Sequence, residues 1–298
     1  MHQDTGGVKP AVADRVHDEV ALTFDCRRES LVGILSGTAL PAERGVLIVV
    51  GGPQYRAGSH RQFALLSRHL AERGVPSLRF DYRGIGDSEG GKRTFEDAGA
   101  DIRCAIDLFF KSAAGLREVV IWGLCDAASA ALFYGHQDAR VSGLVLLNPW
   151  VRTQEGLARA HLRYYYLRRL FQGSLWGKIA TGEFKFREAA GAFGRLVINA
   201  LHRHPSGAGA SAGGEAPLPD RMEDGLRKFR GKVLLILSGN DLTAQEFEGV
   251  VASSRSWQAL LEDKRVTRRR LAEANHTFAR REWRDQVERW TEAWVKGG

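Results

Sequence analysis

Apolar and polar positions sort this chain into short strands and amphipathic helices. Residues 19 to 25 alternate, with Val20, Leu22 and Phe24 on one face, and residues 31 to 35 follow as a second short strand. Together they predict a hairpin at a sheet edge. From there the pattern changes, with a further strand at 76–80, to apolar runs too short for helices: 45–50, 119–121, 141–147 and 232–237. Runs of this length, rich in Val, Ile and Leu, suit strands buried on both faces. Between them lie helical patterns, starting near Ser59 (Gln62 as capping-box partner; Phe63, Leu66 and Leu70 on one face), near Thr94 and after Asp126. A capped helix is predicted from Thr243, a last strand over 265–271, and a final helix whose Trp283, Val287, Trp290 and Trp294 form a packing stripe. Strand and helix alternating with short links predict a mostly parallel eight-stranded sheet with helices on both faces.

The alternation is interrupted once. After Pro149, residues 150–230 carry aromatic-rich helical stretches such as 161–171, then a Gly/Ala/Ser/Pro segment over 205–219. The sequence therefore predicts a core in two parts, 1–149 and 231–298, with a helical insertion at 150–230. Charge sharpens this division. The chain of 298 residues has a formal net charge of +8, and the insertion holds 14 Lys+Arg against 7 Asp+Glu. A basic surface can meet nucleic acid or an anionic membrane, but its distribution matters more than its sum. The run Arg268-Arg269-Arg270 falls in a predicted strand, which splits its side chains between two faces, so nucleic-acid binding is not expected. No run of 18 apolar residues is present and the first 18 residues lack the apolar centre of a signal peptide. Cys26, Cys104 and Cys125 show neither metal spacing nor a disulfide framework, with Cys104 read as a core residue. These features predict a cytoplasmic protein without metal or cofactor.

Candidate chemistry concentrates at one junction. Residues 117–131 pass from a β-branched run through Gly123-Leu124-Cys125-Asp126-Ala127 into an Ala-rich helix. A strand that turns directly into a helix leaves room only for small residues two positions either side of its tip, as in the nucleophile elbow G-x-S-x-G. Here Cys125 stands at the Ser position and Ala127 at the last Gly. A thiol above a helix N-terminus is favourably placed to act as a nucleophile. In an open parallel sheet, ligands bind beyond the carboxyl ends of the strands. Cys125, Asp241 and His276 all fall at such ends, in the order nucleophile, acid, His. Cys125 is the candidate nucleophile, His276 the candidate acid–base and Asp241 the group that orients the imidazole.

On these residues, with Asp81–Gly90 matching D-x-R-G-x-G-x-S, the chain resembles α/β-hydrolases with a cap insertion. That resemblance implies an α/β-hydrolase fold and a structural role for the Asp81–Gly90 loop. The segments 51–63 and 123–130 more narrowly resemble exosortase A system-associated hydrolases, type 1. This implies a cytoplasmic hydrolase linked to exopolysaccharide or protein-sorting metabolism. One departure affects the chemistry. After Gly51-Gly52 comes Pro53, which has no N–H to offer an oxyanion. The expected donors are therefore Gln54, by backbone or side chain, and the N–H of Asp126. The Asp126 carboxylate would work against a thiolate beside it.

These residues predict a hydrolase for an ester or thioester, with an S-acyl cysteine intermediate and a small-molecule acyl substrate. The same intermediate would serve an acyltransferase, and a non-catalytic binding member of the fold is the alternative from another class. In the insertion, Tyr164, Tyr165, Tyr166, Phe171 and Trp176 are candidates to line a pocket, with Arg163, Arg168 and Arg169 at its mouth. Such a lid would suit an anionic or carrier-linked acyl group.

Overall fold

A computed structural model describes residues 19–38, 40–52, 54–151 and 216–297. Eight strands form one sheet in the order β1-β2-β4-β3-β5-β6-β7-β8. They are β1 (Glu19–Cys26), β2 (Glu29–Ser36), β3 (Arg44–Val49), β4 (Ser77–Phe80), β5 (Glu118–Leu124), β6 (Val141–Leu147), β7 (Lys232–Ser238) and β8 (Val266–Leu271). β1 and β2 pair antiparallel, as the alternating pattern predicts, and β2 joins β4 antiparallel. Every pairing from β4 to β8 is parallel. The interior strands are the apolar runs: Val46, Leu47, Ile48, Val49, Ile121, Leu144, Val145 and Ile236 are all buried.

The α-helices of the described residues are α1 (Gln62–Glu72), α2 (Gly99–Ser112), α3 (Asp126–Tyr134), α4 (Leu218–Lys228), α5 (Leu242–Ser253), α6 (Arg255–Glu262) and α7 (Arg281–Lys296). Two apolar clusters show which face each covers. Phe63, Leu66 and Leu70 of α1 pack with Val287 and Val295 of α7, and Trp283, Trp290 and Trp294 lie against them. Ile102 and Phe109 of α2, Ala127 and Leu132 of α3, Met222 and Leu226 of α4, Phe247 of α5 and Trp257 of α6 fill the other cluster. The tryptophan stripe is thus packing, as its spacing predicts. α4 belongs to this second layer, although it lies within the 150–230 insertion read from the sequence. None of the described helices is long and apolar enough to cross a membrane.

Four sequence expectations change. The helix expected near Thr94 begins at Gly99, after a short 3₁₀ turn over Phe95–Asp97. The helix expected at Ser59 begins at Gln62, after a short 3₁₀ turn over Ser59–Arg61. No capping box forms there; the Ser59 N–H donates to the Gln54 side chain at 3.3 Å, and His60 and Arg61 take positive φ. The helix expected to be capped at Thr243 is capped instead by Asp241, which accepts from the N–H groups of Thr243 and Ala244. Cys26 and Cys104, read as unpaired, are joined as a disulfide, with Cα atoms 5.9 Å apart. Their separation of 78 residues hides a contact made only when β1 packs on α2. The Asp81–Gly90 loop is structural, as the resemblance implies. Asp81 is buried and accepts from the backbone N–H of Arg56 at 2.6 Å and of Asp87 at 3.2 Å, and pairs with the Arg56 guanidinium.

Candidate active site

The carboxyl ends of β3, β5, β6 and β7 and the segment after β8 converge on Cys125. β5 ends at Leu124 and α3 begins at Asp126, so one residue makes the turn. That residue, Cys125, has φ 63° and ψ −123°, a region that L-residues avoid unless neighbouring structure enforces it. The enforcement is visible. The Cys125 N–H donates to Leu147 O at 2.8 Å, and its carbonyl accepts from Ala128 N at 3.1 Å and Trp150 N at 3.2 Å. Gly123 is required by packing: a Cβ there would lie 2.6 Å from the Ala127 carbonyl oxygen. The Cys125 side chain is half-buried, and it is the free cysteine.

His276 lies in the segment after β8, and its Nδ1 is 2.9 Å from Asp241 Oδ2. Asp241 is held in turn by its cap at the start of α5, where the two N–H bonds measure 3.3 and 3.1 Å. With Nδ1 committed to Asp241, Nε2 is the nitrogen left for the thiol. Burial works against a charged imidazole, but the hydrogen bond to Asp241 and the neighbouring Cys125 thiol outweigh it and raise the His276 pKa to about 10. The structure thus brings together the three residues read from the sequence as nucleophile, acid–base and orienting carboxylate.

A fourth residue gave no signal in the sequence. Asn148, at the end of β6, is fully buried with φ 43°. Its amide donates to Ser238 Oγ at 2.7 Å and to the His276 carbonyl at 3.0 Å, while its oxygen accepts from Ser238 N at 2.9 Å. It ties β6, β7 and the histidine segment together. An Asn after an apolar run looks like ordinary turn chemistry, and only the convergence of three segments reveals this role.

The oxyanion candidates fare differently. The Gln54 backbone N–H donates to Gly51 O at 3.3 Å, closing the turn after β3. Its side-chain oxygen accepts from Ser59 N, which orients the amide and leaves the NH₂ group as the donor that Gln54 can offer. The Asp126 N–H sits at the start of α3, where the first N–H groups have no helical partner. The Asp126 carboxylate is turned toward β3. Its Oδ2 accepts the Gly52 N–H at 2.8 Å and its Oδ1 the Ala127 N–H at 3.0 Å. Burial raises the Asp126 pKa, and these N–H bonds and the charge of His276 pull it back in part. Tyr164, Tyr165, Tyr166, Phe171, Trp176, Arg163, Arg168 and Arg169 lie outside the described residues. Among the described residues no cluster of His, Cys, Asp and Glu could hold a metal ion.

A parallel sheet with two antiparallel strands at one edge, layered by helices and carrying a strained elbow after β5, is the α/β-hydrolase fold, and the chain has it. A family model described as serine aminopeptidase, S33, matches residues 41–181, the stretch that contains the elbow. Among solved structures, the chain is similar to an esterase of Pyrococcus furiosus. The two are 13% identical over 94% of each chain, with a TM-score of 0.61. It is also similar to Est1E of Butyrivibrio proteoclasticus with ferulic acid bound, at 17% identity over 93% of this chain and 98% of that one, with a TM-score of 0.60. A third is the α/β hydrolase GrgF of Penicillium sp. sh18, at 13% identity over 94% of this chain and 98% of that one, also with a TM-score of 0.60. No curated protein matches the sequence.

Proposed function

We propose that this protein hydrolyses an ester or thioester through an S-acyl intermediate on Cys125. The observation that carries this reading is the arrangement at the elbow: a half-buried thiol at a strained tip, close enough to an imidazole to raise its pKa, with the far nitrogen of that ring 2.9 Å from a capped carboxylate. Cys125 gives its proton to His276 as the sulfur attacks the acyl carbon, and the bond to the leaving oxygen or sulfur breaks as His276 passes that proton to the leaving atom. Water then attacks the thioester carbon and loses a proton to His276. The C–S bond breaks as His276 returns that proton to the sulfur, and the acid departs. Asp241 holds the imidazole in one tautomer throughout. The Asp126 N–H and the Gln54 side-chain amide are the donors for the anionic oxygen. An alcohol or amine in place of water would make the same intermediate an acyl transfer.

The basic insertion, with Tyr164, Tyr165, Arg168 and Trp176, is proposed as a lid over the acyl pocket, suited to an anionic or carrier-linked acyl group. The narrower resemblance of 51–63 and 123–130 supports a role beside exosortase-linked exopolysaccharide or protein-sorting chemistry. The test is direct. Incubation with a panel of p-nitrophenyl esters and acyl thioesters should leave an acyl mass on the peptide containing Cys125, and Cys125→Ala should abolish both adduct and turnover. Turnover retained in Cys125→Ala would end this mechanism. The absence of an N–H at Pro53 and the engagement of the Gly52 and Gln54 N–H groups favour a second reading, ligand binding without turnover. No acyl adduct from any member of the panel, with tight binding of the acid products, would support it.

A further inference from the structure

Asp126 does more in this structure than offer its N–H. Its carboxylate spans the gap between the elbow and the turn after β3, bonded to Gly52 on one side and Ala127 on the other. The space it fills exists because residue 51 has no side chain: a Cβ on Gly51 would lie 2.1 Å from Asp126 Oδ1. Gly51 is fully enclosed in the site and Asp126 is half-buried beside Cys125. The carboxylate and the missing side chain at 51 are therefore complementary parts of one contact.

Two consequences follow with opposite signs. The Gly52 bond anchors the turn that carries Gln54, and a charge-assisted bond of this kind is stronger than a neutral one. The anchored turn sets where the Gln54 amide stands relative to the elbow. The same carboxylate belongs to the residue that follows Cys125, so it brings negative charge to the elbow, where the sulfur and the acyl oxygen must both become negative. Its geometry helps acyl transfer, and its charge opposes it.

We propose that the Asp126 side chain is a positioning residue that clamps the β3 turn to the elbow through Gly52, and that it restrains the nucleophile as it does so. This rests on the acyl-transfer reading of Cys125, but part of it can be tested without substrate. Alkylation of Cys125 by iodoacetamide requires a reactive sulfur and forms no oxyanion. Acylation by p-nitrophenyl acetate requires both the sulfur and the oxyanion donors. In Asp126→Asn, alkylation near neutral pH should become several-fold faster, because the charge is gone. Acylation should become slower, by about 10²-fold in kcat with little change in KM, as expected when a donor is displaced by about an ångström. Asp126→Glu, which keeps the charge but moves it, should leave alkylation slow and acylation impaired. Alkylation and acylation falling together, rising together or both staying unchanged in Asp126→Asn would overturn the proposal.

Amide hydrogen exchange at Gly52 provides the arm that needs no activity. The loss of the carboxylate in Asp126→Ala should speed exchange there by about tenfold or more. Unchanged exchange at Gly52 would overturn the clamp. If the wild-type protein alkylates at Cys125 but forms no acyl adduct with any ester, the hydrolase reading falls. The Gly52 exchange then still decides the clamp by itself.

Discussion

At the scale of single residues, the pairing of Cys125 with His276 makes a measurable statement about charge. The imidazole titrates at about 10, against 6.5 for an unperturbed one, and its raising partners are Asp241 and Cys125. In Cys125→Ala one of the two is removed, so the His276 pKa should move down but remain raised by Asp241; in Asp241→Asn with Cys125→Ala, burial should dominate and take it lower still. Titration of the imidazole nitrogens by NMR reads both shifts. An unchanged value in Cys125→Ala would mean that the thiol and the ring do not interact. The sign for stability follows from the folded value lying above the unfolded one. The charged imidazole stabilises the fold fully below pH 6.5, and that contribution is lost as pH rises toward about 10. The three catalytic candidates were legible in the sequence because each lies just past a predicted strand, after an apolar run for Cys125 and Asp241 and after the Arg-rich β8 for His276, and its type is chemically distinctive. Asn148 and the Gly51–Asp126 contact were not. Their importance comes from partners on other strands, 90 residues away for Ser238 and 74 for Gly52.

At the scale of elements, β3, β5, β6 and β7 were legible because strands buried on both faces leave an apolar run, which few other structures do. Helix starts were read less well. Ser59 and Thr243 both fit a capping box, yet the residues that occupy the relevant N–H groups are Gln54 and Asp241. The contact of α1 with α7 hides a further feature. Glu288 on α7 is 7% exposed, with Oε2 3.8 Å from His69 Nδ1 on α1 and Oε1 3.5 Å from Arg284 Nε. Around it stand Arg73, Asp285, Arg289 and Glu292, the last bonded to His69 Nε2 at 3.0 Å. Burial is the main cause that raises the Glu288 pKa, to about 7, and Asp285 adds to it against the pull of Arg284, Arg73 and Arg289. The ordinary value for an exposed Glu is 4.5. Between those two values the folded state keeps a proton that the unfolded chain releases, so stability falls as pH rises through that window. Glu288→Gln should remove this loss. Its melting temperature should exceed that of the wild type by roughly a few degrees at about pH 8 and show no gain at about pH 4.5. Calorimetry at the two pH values checks this, and an equal shift at both would rule out titration of Glu288 as the cause.

At the scale of the whole molecule, the Cys26–Cys104 bond links the antiparallel edge of the sheet to a helix that packs beside the elbow helix. The closed loop encloses β2, β3, α1 and β4, and thus the β3 turn with Gly52 and Gln54. It does not enclose β5, α3, Asp241 or His276. By the chain-entropy model, closing a loop of 78 residues stabilises the fold by about 4 kcal/mol, through restriction of the unfolded chain. The bond should therefore matter for global stability more than for the reactivity of the sulfur at the elbow. In the native protein without reductant, iodoacetamide should label Cys125 and spare Cys26 and Cys104. With reductant, the melting temperature should fall markedly while alkylation of Cys125 at a temperature well below the transition keeps its rate. The Cys104→Ser variant should reproduce the lower melting temperature in either condition and become insensitive to reductant. Equal labelling of all three cysteines in the native, unreduced chain would show that the bond does not form in solution. A Cys125 alkylation rate that fell on reduction would instead place the bond in the service of the site, by way of the β3 turn that it encloses.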